Sequence, residues 1–171
     1  DGLVLVGDNA GKTLNSSNAD NTIAVGRDAL TALTSGSGNV AVGAYALDLI
    51  KDGGYNTAVG WNALTASPEA GSHNTAIGYN ALAAHNVDGD GRNTAIGSSA
   101  GEDITSGTKN IAIGKNALAT STTALSVVAI GDSAMGATAT GNTHTGTVAI
   151  GDSALANLSS GAGNIAIGYQ A

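Results

Sequence analysis

A short pattern of apolar and polar positions, typified by Asn74-Thr75-Ala76-Ile77-Gly78, recurs ten times along the chain. Successive copies are 17 to 20 residues apart, and each ends in a glycine. These motif glycines are Gly7, Gly26, Gly43, Gly60, Gly78, Gly97, Gly114, Gly131, Gly151 and Gly168. A period of this length predicts units that stack on their neighbours, so we interpret residues 1–171 as a single solenoid domain.

The three residues before each motif glycine predict a β-strand. Val, Ile or Thr stands three residues before the glycine, Val or Ile stands one residue before it, and nine of the ten residues between them are Ala. Alternation of β-branched residues with a period of two is typical of strands. We expect the Val and Ile face to form the core and the Ala face to point outward.

The residues after the glycine predict a second, returning stretch. Ala stands three residues after every motif glycine, and Leu follows it in six units, as in Ala81-Leu82. We interpret this stretch as a return strand whose Leu closes the core against Val and Ile. A helix over residues 80–84 remains an alternative, because Ala and Leu favour helices although so short a segment is marginal. The polar, variable remainder of each unit predicts surface turns.

An asparagine recurs four residues before the motif glycine. It is present in six units, as Asn39, Asn56, Asn74, Asn93, Asn110 and Asn164. Stacked coils about 4.8 Å apart would form a rod roughly 45 Å long, with like residues in ladders along it. We therefore expect these amides to hydrogen-bond from coil to coil.

The row of Ala residues within the strands predicts an oligomer interface. Small side chains let another backbone surface approach closely, so the row suggests side-by-side association, most simply of three rods. The candidate interface residues are Ala41, Ala58, Ala76, Ala95, Ala112, Ala129, Ala149 and Ala166. The alternative is that this Ala only fills a tight inner corner of the coil.

Composition narrows the range of functions. Apolar residues make up 42% of the chain, mostly Ala, Val, Ile and Leu, with no Phe and one Trp. The net charge of −7 would repel a phosphate backbone, so we expect no nucleic-acid partner. No apolar run approaches the ~20 residues of a membrane helix, so no membrane insertion is expected. The absence of Cys rules out a disulfide framework.

Two stretches are candidates for ligand binding. Asn86, Asp88 and Asp90 resemble the first half of a calcium loop, although Asp-Gly pairs are also common in turns. Trp61 and Tyr79 both follow a motif glycine directly in consecutive units, so their rings could lie one above the other and bind the face of a sugar. The alternatives for this pair are a simple side-chain ladder or packing against a neighbouring chain.

Nothing in the sequence indicates catalysis. His73, His85 and His144 lie in variable segments without the spacing of metal ligands, and no His is placed to activate the repeated Asp-Ser pairs. We expect no enzymatic activity and no cofactor, apart from the calcium candidate.

The phrases Asn-Thr-Ala-Ile-Gly-Tyr-Asn-Ala-Leu at 74–82 and Asn-Ile-Ala-Ile-Gly-Tyr-Gln-Ala at 164–171 resemble two kinds of repeat. One is found in YadA-like trimeric autotransporter adhesin heads, and the other in phage tail fibres. The resemblance implies an all-β, left-handed parallel β-roll, three copies of which form a trimer. It also implies extracellular display on a cell or virion surface and attachment to a host glycan or protein receptor.

We therefore expect a non-enzymatic structural or adhesive fibre module built on a trimeric parallel β-solenoid. One alternative is a subunit of a self-assembling extracellular filament, in which copies stack head to tail. Another is an ice-binding solenoid, because Asn56-Thr57, Asn74-Thr75 and Asn93-Thr94 place such pairs in three successive coils.

Overall fold

The computed structural model describes residues 2–14, 20–66, 71–138 and 144–171. Its regular elements are ten three-residue strands that form one sheet in sequence order. The strands are β1 (Val4–Val6), β2 (Ile23–Val25), β3 (Val40–Val42), β4 (Thr57–Val59), β5 (Thr75–Ile77), β6 (Thr94–Ile96), β7 (Ile111–Ile113), β8 (Val128–Ile130), β9 (Val148–Ile150) and β10 (Ile165–Ile167). Each strand belongs to one coil, and we number the coils after their strands.

All nine strand pairs are parallel and keep the repeat in register. Between β4 and β5, for example, Thr57 pairs with Thr75 and Val59 pairs with Ile77. The same motif position therefore stacks on itself from the first coil to the tenth. The predicted all-β parallel solenoid is confirmed.

The motif glycines are required by both conformation and space. Their φ angles lie between +127° and +140°, which L-amino acids with a side chain rarely adopt. A Cβ at Gly60 would lie 2.4 Å from the carbonyl oxygen of Gly78 in the next coil. The chain therefore changes direction after each strand at a point where two backbones nearly touch.

The second stretch of each coil is a ladder of turns, so the predicted return strand is wrong. In the fourth coil, Asn62 and Leu64 have φ angles of 59° and 51°, in the left-handed region that interrupts a strand. Coil-to-coil hydrogen bonds nevertheless continue, because the Leu64 amide donates to the Ala81 carbonyl oxygen at 2.9 Å. The helical alternative is also wrong, since residues 80–84 form turns.

The interior is narrow, and the prediction for the two strand faces is reversed. The central Ala of β2 to β9 has a relative exposure of 0–1%, whereas the flanking Val, Ile and Thr point outward. The Ala three residues after the glycine is equally buried in coils 2 to 9. Two walls of Ala face the interior, and the buried Leu that follows the second wall, such as Leu64 or Leu82, fills the space between them.

The predicted asparagine ladder is confirmed for five of its six residues and lies inside the coil, whereas Asn164 is only partly buried and its side-chain nitrogen has no hydrogen-bond partner among the described residues. Asn39, Asn56, Asn74, Asn93 and Asn110 are at most 1% exposed. The Asn56 side-chain oxygen accepts the Asn74 backbone N–H at 3.0 Å, and the Asn93 oxygen accepts that of Asn110 at 3.0 Å. Each of these five side-chain oxygens accepts a backbone N–H of the next coil, so the buried polar column is hydrogen-bonded along its length.

Candidate interaction surface

The outward side of the sheet is a regular apolar surface, which we call the strand face. It consists of the first and third residues of each strand: Val4, Val6, Ile23, Val25, Val40, Val42, Thr57, Val59, Thr75, Ile77, Thr94, Ile96, Ile111, Ile113, Val128, Ile130, Val148, Ile150, Ile165 and Ile167. All are partly or largely exposed in this single chain, with Ile77 at 37% and Ile111 at 38%. Seventeen of these twenty residues are Val or Ile.

The strand face is unusual for a surface that meets water. None of its residues is charged, although the chain carries 19 charged side chains in total. At about 50 Å² per residue, its exposed area is on the order of 1,000 Å², which exceeds the few hundred Å² of the largest apolar patch on a typical monomer. The strand face therefore has the size and chemistry of an interaction surface.

The predicted Ala interface is wrong. The side chains of Ala41, Ala58, Ala76, Ala95, Ala112, Ala129 and Ala149 lie in the core with 0–1% exposure. Ala166 occupies the same position in β10 and is partly buried. These residues fill the tight inner side of the coil, which was the alternative interpretation. A contact between rods would instead involve the strand face.

The flat array of Asn-Thr pairs that suggested ice binding is also absent. Thr57, Thr75 and Thr94 are partly exposed on the strand face. Asn56 and Asn74, which were expected to share that surface, are buried in the interior ladder. Only a short column of three Thr residues remains, flanked by Val and Ile.

The predicted aromatic stack is confirmed along one edge of the strand face. The Trp61 and Tyr79 rings lie 5.1 Å apart between centroids with an interplanar angle of 9°. Tyr45 packs its edge against Trp61 at 6.0 Å, and the Arg27 guanidinium lies 4.8 Å from the Tyr45 ring centroid. The facing sides of Trp61 and Tyr79 therefore cover each other, and binding of a sugar to the remaining exposed ring surface stays a prediction.

A second aromatic stack lies along the opposite edge and was missed in the sequence. Tyr55 and His73 each precede a motif glycine by five residues, and their rings lie 5.1 Å apart at 18°. Tyr55 is 64% exposed. The two residues are 18 positions apart, as Trp61 and Tyr79 are, so their register could have revealed them.

The calcium candidate does not form the expected set of ligands. One oxygen of Asp90 lies 2.9 Å from His73 Nδ1, and the other accepts a hydrogen bond from Arg92 at 2.5 Å. Hydrogen bonds with Arg92 and then His73 hold the pKa of Asp90 below its usual value, so both oxygens of this carboxylate are already engaged by protein side chains. Within the described ranges, no three His, Cys, Asp or Glu side chains come together as a metal site. Asn86 and Asp88 thus remain a sequence-based candidate without structural support.

Comparison with protein-family models, curated proteins and solved structures found no match to this chain. None of the described segments forms a helix that is long and apolar enough to cross a membrane.

Proposed function

We propose that this chain is a non-enzymatic extracellular fibre module that acts in structure and adhesion on a cell or virion surface. The solenoid forms a rod, three rods associate side by side through their strand faces, and the polar turns point outward. The proposal rests on the solenoid architecture, on the properties of the strand face, and on the resemblance of the repeats to adhesin-head and tail-fibre repeats.

The observation that carries the proposal is the uncharged aliphatic strand face along the whole sheet. Burying such a face against identical faces removes apolar area from water, which stabilises the assembly by about 25 cal/mol for each Å² buried. A partner of the same sequence presents the same flat columns of β-branched side chains, so complementarity requires no further protein. In a cyclic trimer, three such faces surround one axis parallel to the rods.

A mass measurement with one charge variant tests the trimer. Light scattering should give three times the 16.4 kDa chain mass for the native protein. Ile96→Lys places a charge in the middle of the strand face, near its two symmetry mates, and should yield a folded monomer. Ser106→Lys, on an exposed turn away from the strand face, is the matched control and should remain trimeric.

The outcomes separate the alternatives. A native protein that remains a monomer at high concentration would contradict the proposal. Threads of indefinite length in negative-stain images would instead favour the head-to-tail filament. A trimer that survives Ile96→Lys would show that the rods associate through another surface.

The adhesive part of the proposal concerns a host-surface glycan or protein receptor. A trimer displays every turn three times, and such multivalency raises apparent affinity by about 10²–10⁴ when the sites are engaged together. Binding of labelled protein to glycan arrays, matrix proteins and host cells should therefore be much stronger for the native trimer than for the Ile96→Lys monomer. Equal, undetectable binding by both across these panels would argue for a purely structural module.

A further inference from the structure

Rings stand on both edges of the strand face in the same two coils. The fourth coil carries Tyr55 on one edge and Trp61 on the other, and the fifth carries His73 and Tyr79. Each edge forms its own stack, with ring centroids 5.1 Å apart. Tyr55, Trp61 and Tyr79 are 64%, 45% and 53% exposed, so a single chain leaves much of this aromatic surface in water.

Cyclic symmetry brings these two edges together. In a ring of three rods with their strand faces towards the axis, one edge of each rod adjoins the opposite edge of the next. Because all copies stand at the same height, residues of the same coil meet. Within one chain, the strand Thr57–Val59 lies between Tyr55 and Trp61 and, at about 3.3 Å per residue, holds their backbones on the order of 10 Å apart, so each ring packs in a separate stack.

On the basis of the trimer proposed above, we propose that the Tyr55–His73 stack of one copy packs against the Trp61–Tyr79 stack of the next. The partner is a second copy of this chain, and the contact is repeated three times around the axis. Four rings then form a cluster at each junction, where edge-to-face and stacked contacts add to the burial of the strand face. The clusters lie at the rim of the same surface, so they extend the strand-face interface.

Other coils are compatible with this pairing. Arg92 would lie opposite Ser98, and Ser126 would lie opposite Asp132, so a charged residue meets a small polar one. The only like-charge pair among the ten coils is Lys109 with Lys115. The flexible stems of these two exposed side chains let their ammonium groups separate into solvent.

The aromatic contact would fix the axial register of the rods. The strand face looks nearly the same after a shift of one coil, about 4.8 Å, because it repeats Val and Ile at every level. A shifted contact between successive copies does not close into a ring and leads to an open fibre. Rings on both edges at only coils 4 and 5 favour the unshifted contact, in which the two stacks overlap fully.

Disulfide trapping tests this register, because the chain has no cysteine of its own. Tyr55→Cys with Trp61→Cys should give a reducible covalent trimer on mild oxidation, since disulfides require Cα atoms within about 7 Å. Tyr55→Cys with Tyr79→Cys joins edges that are one coil apart and is the matched control, expected to crosslink several-fold less. Within one chain neither pair can form a disulfide across the strand face.

The outcomes distinguish this inference from the proposed function. A monomeric native mass would overturn both. A trimeric mass without the 55–61 crosslink, or with preferential 55–79 crosslinking, would overturn the pairing and leave the trimer standing. If the double variant does not fold, the single tryptophan of the native protein provides a second readout. Trp61 fluorescence should be shifted to shorter wavelength in the native trimer relative to the Ile96→Lys monomer, and identical spectra would contradict the pairing.

Discussion

Replacing the central motif glycine, Gly60→Ala, tests the account of how the coils stack. The φ angle of Gly60 is +140°, and its added Cβ would lie 2.4 Å from the Gly78 carbonyl oxygen. The conformational strain of a side chain at such a φ costs about 1–3 kcal/mol. The backbone fixes the position of the Cβ, and the Gly78 oxygen is itself a backbone atom, so no side-chain rotation relieves the collision. The two coils must separate by roughly 1 Å to restore an ordinary contact.

Such a separation weakens the hydrogen bonds beside the collision. Between the fourth and fifth coils, the Gly78 amide donates to the Val59 carbonyl oxygen at 2.8 Å, and the Asn80 amide donates to the Trp61 carbonyl oxygen at 3.1 Å. At about 0.5–1.5 kcal/mol each, losing both of these bonds adds about 1–3 kcal/mol to the strain. We therefore expect Gly60→Ala to lower the free energy of unfolding by about 2–6 kcal/mol.

Gly89→Ala is the matched control, because Gly89 also has a positive φ, +106°, but a Cβ there would meet nothing within 4 Å. It should cost only the conformational strain, about 1–3 kcal/mol. Urea unfolding followed by circular dichroism, at one protein concentration for all variants, measures both. Gly60→Ala should also reduce the m-value, since a lesion at the fourth coil divides the stack into two segments. A cost for Gly60→Ala no greater than that for Gly89→Ala would refute the collision argument.

Two further predictions concern buried polar side chains. Burial, opposed only in part by the nearby Ile104 backbone, lowers the pKa of His85 from 6.5 to about 4, so the folded chain favours the neutral ring. Stability should be complete above pH 6.5 and fall by about 3 kcal/mol as the pH drops towards 4, a loss that urea unfolding should not show for His85→Leu. Asn93→Ala removes the acceptor for the Asn110 amide and the donor to a buried carbonyl, and should cost about 2–4 kcal/mol in the same assay. Asn62→Ala, in a partly exposed amide pair, is its control and should cost less than about 1 kcal/mol.

The repeat, the strands and the asparagine ladder were predictable because each depends on local, periodic information. The motif glycine defines the register, and alternation around Ala76 or Ala95 defines a strand whatever its surroundings. Hydrogen bonds between the Asn side chains of successive coils then follow, because equivalent residues stack on each other. These features require no knowledge of what lies across the interior.

Alternation alone could not predict which strand face is buried, because a period of two defines two faces without saying which one points inward. Larger aliphatic residues usually face a core, and that rule failed here. At the strand positions the interior is filled by the strand Ala, the second Ala row and the buried Leu, all at 0–1% exposure, so the small side chain is the one that packs inward there. One clue was present, since Asn74 and Ala76 differ by two positions and therefore share a face. A column of amides satisfied from coil to coil is more typical of an interior than of a wet surface.

Each coil has a part of constant length and a part of variable length, and the two parts give rise to different kinds of local surface feature. In every full unit we count thirteen positions, from five before the motif glycine to seven after it, as the segment of constant length. The 17- to 20-residue spacings then leave a segment of four to seven residues whose length varies. In the fifth coil, this variable part is residues 86–91, and it brings Asp90 beside His73. Residues in the constant part act on their neighbours differently, because each side chain lies above the equivalent side chain of the next coil. The Tyr55 ring stacks on the His73 ring in this way. Insertions in the variable segment therefore change one site in one coil. Similar residues at the same constant position of consecutive coils instead form a column of stacked side chains. A column on each edge of the strand face is an arrangement that a neighbouring rod can match coil by coil.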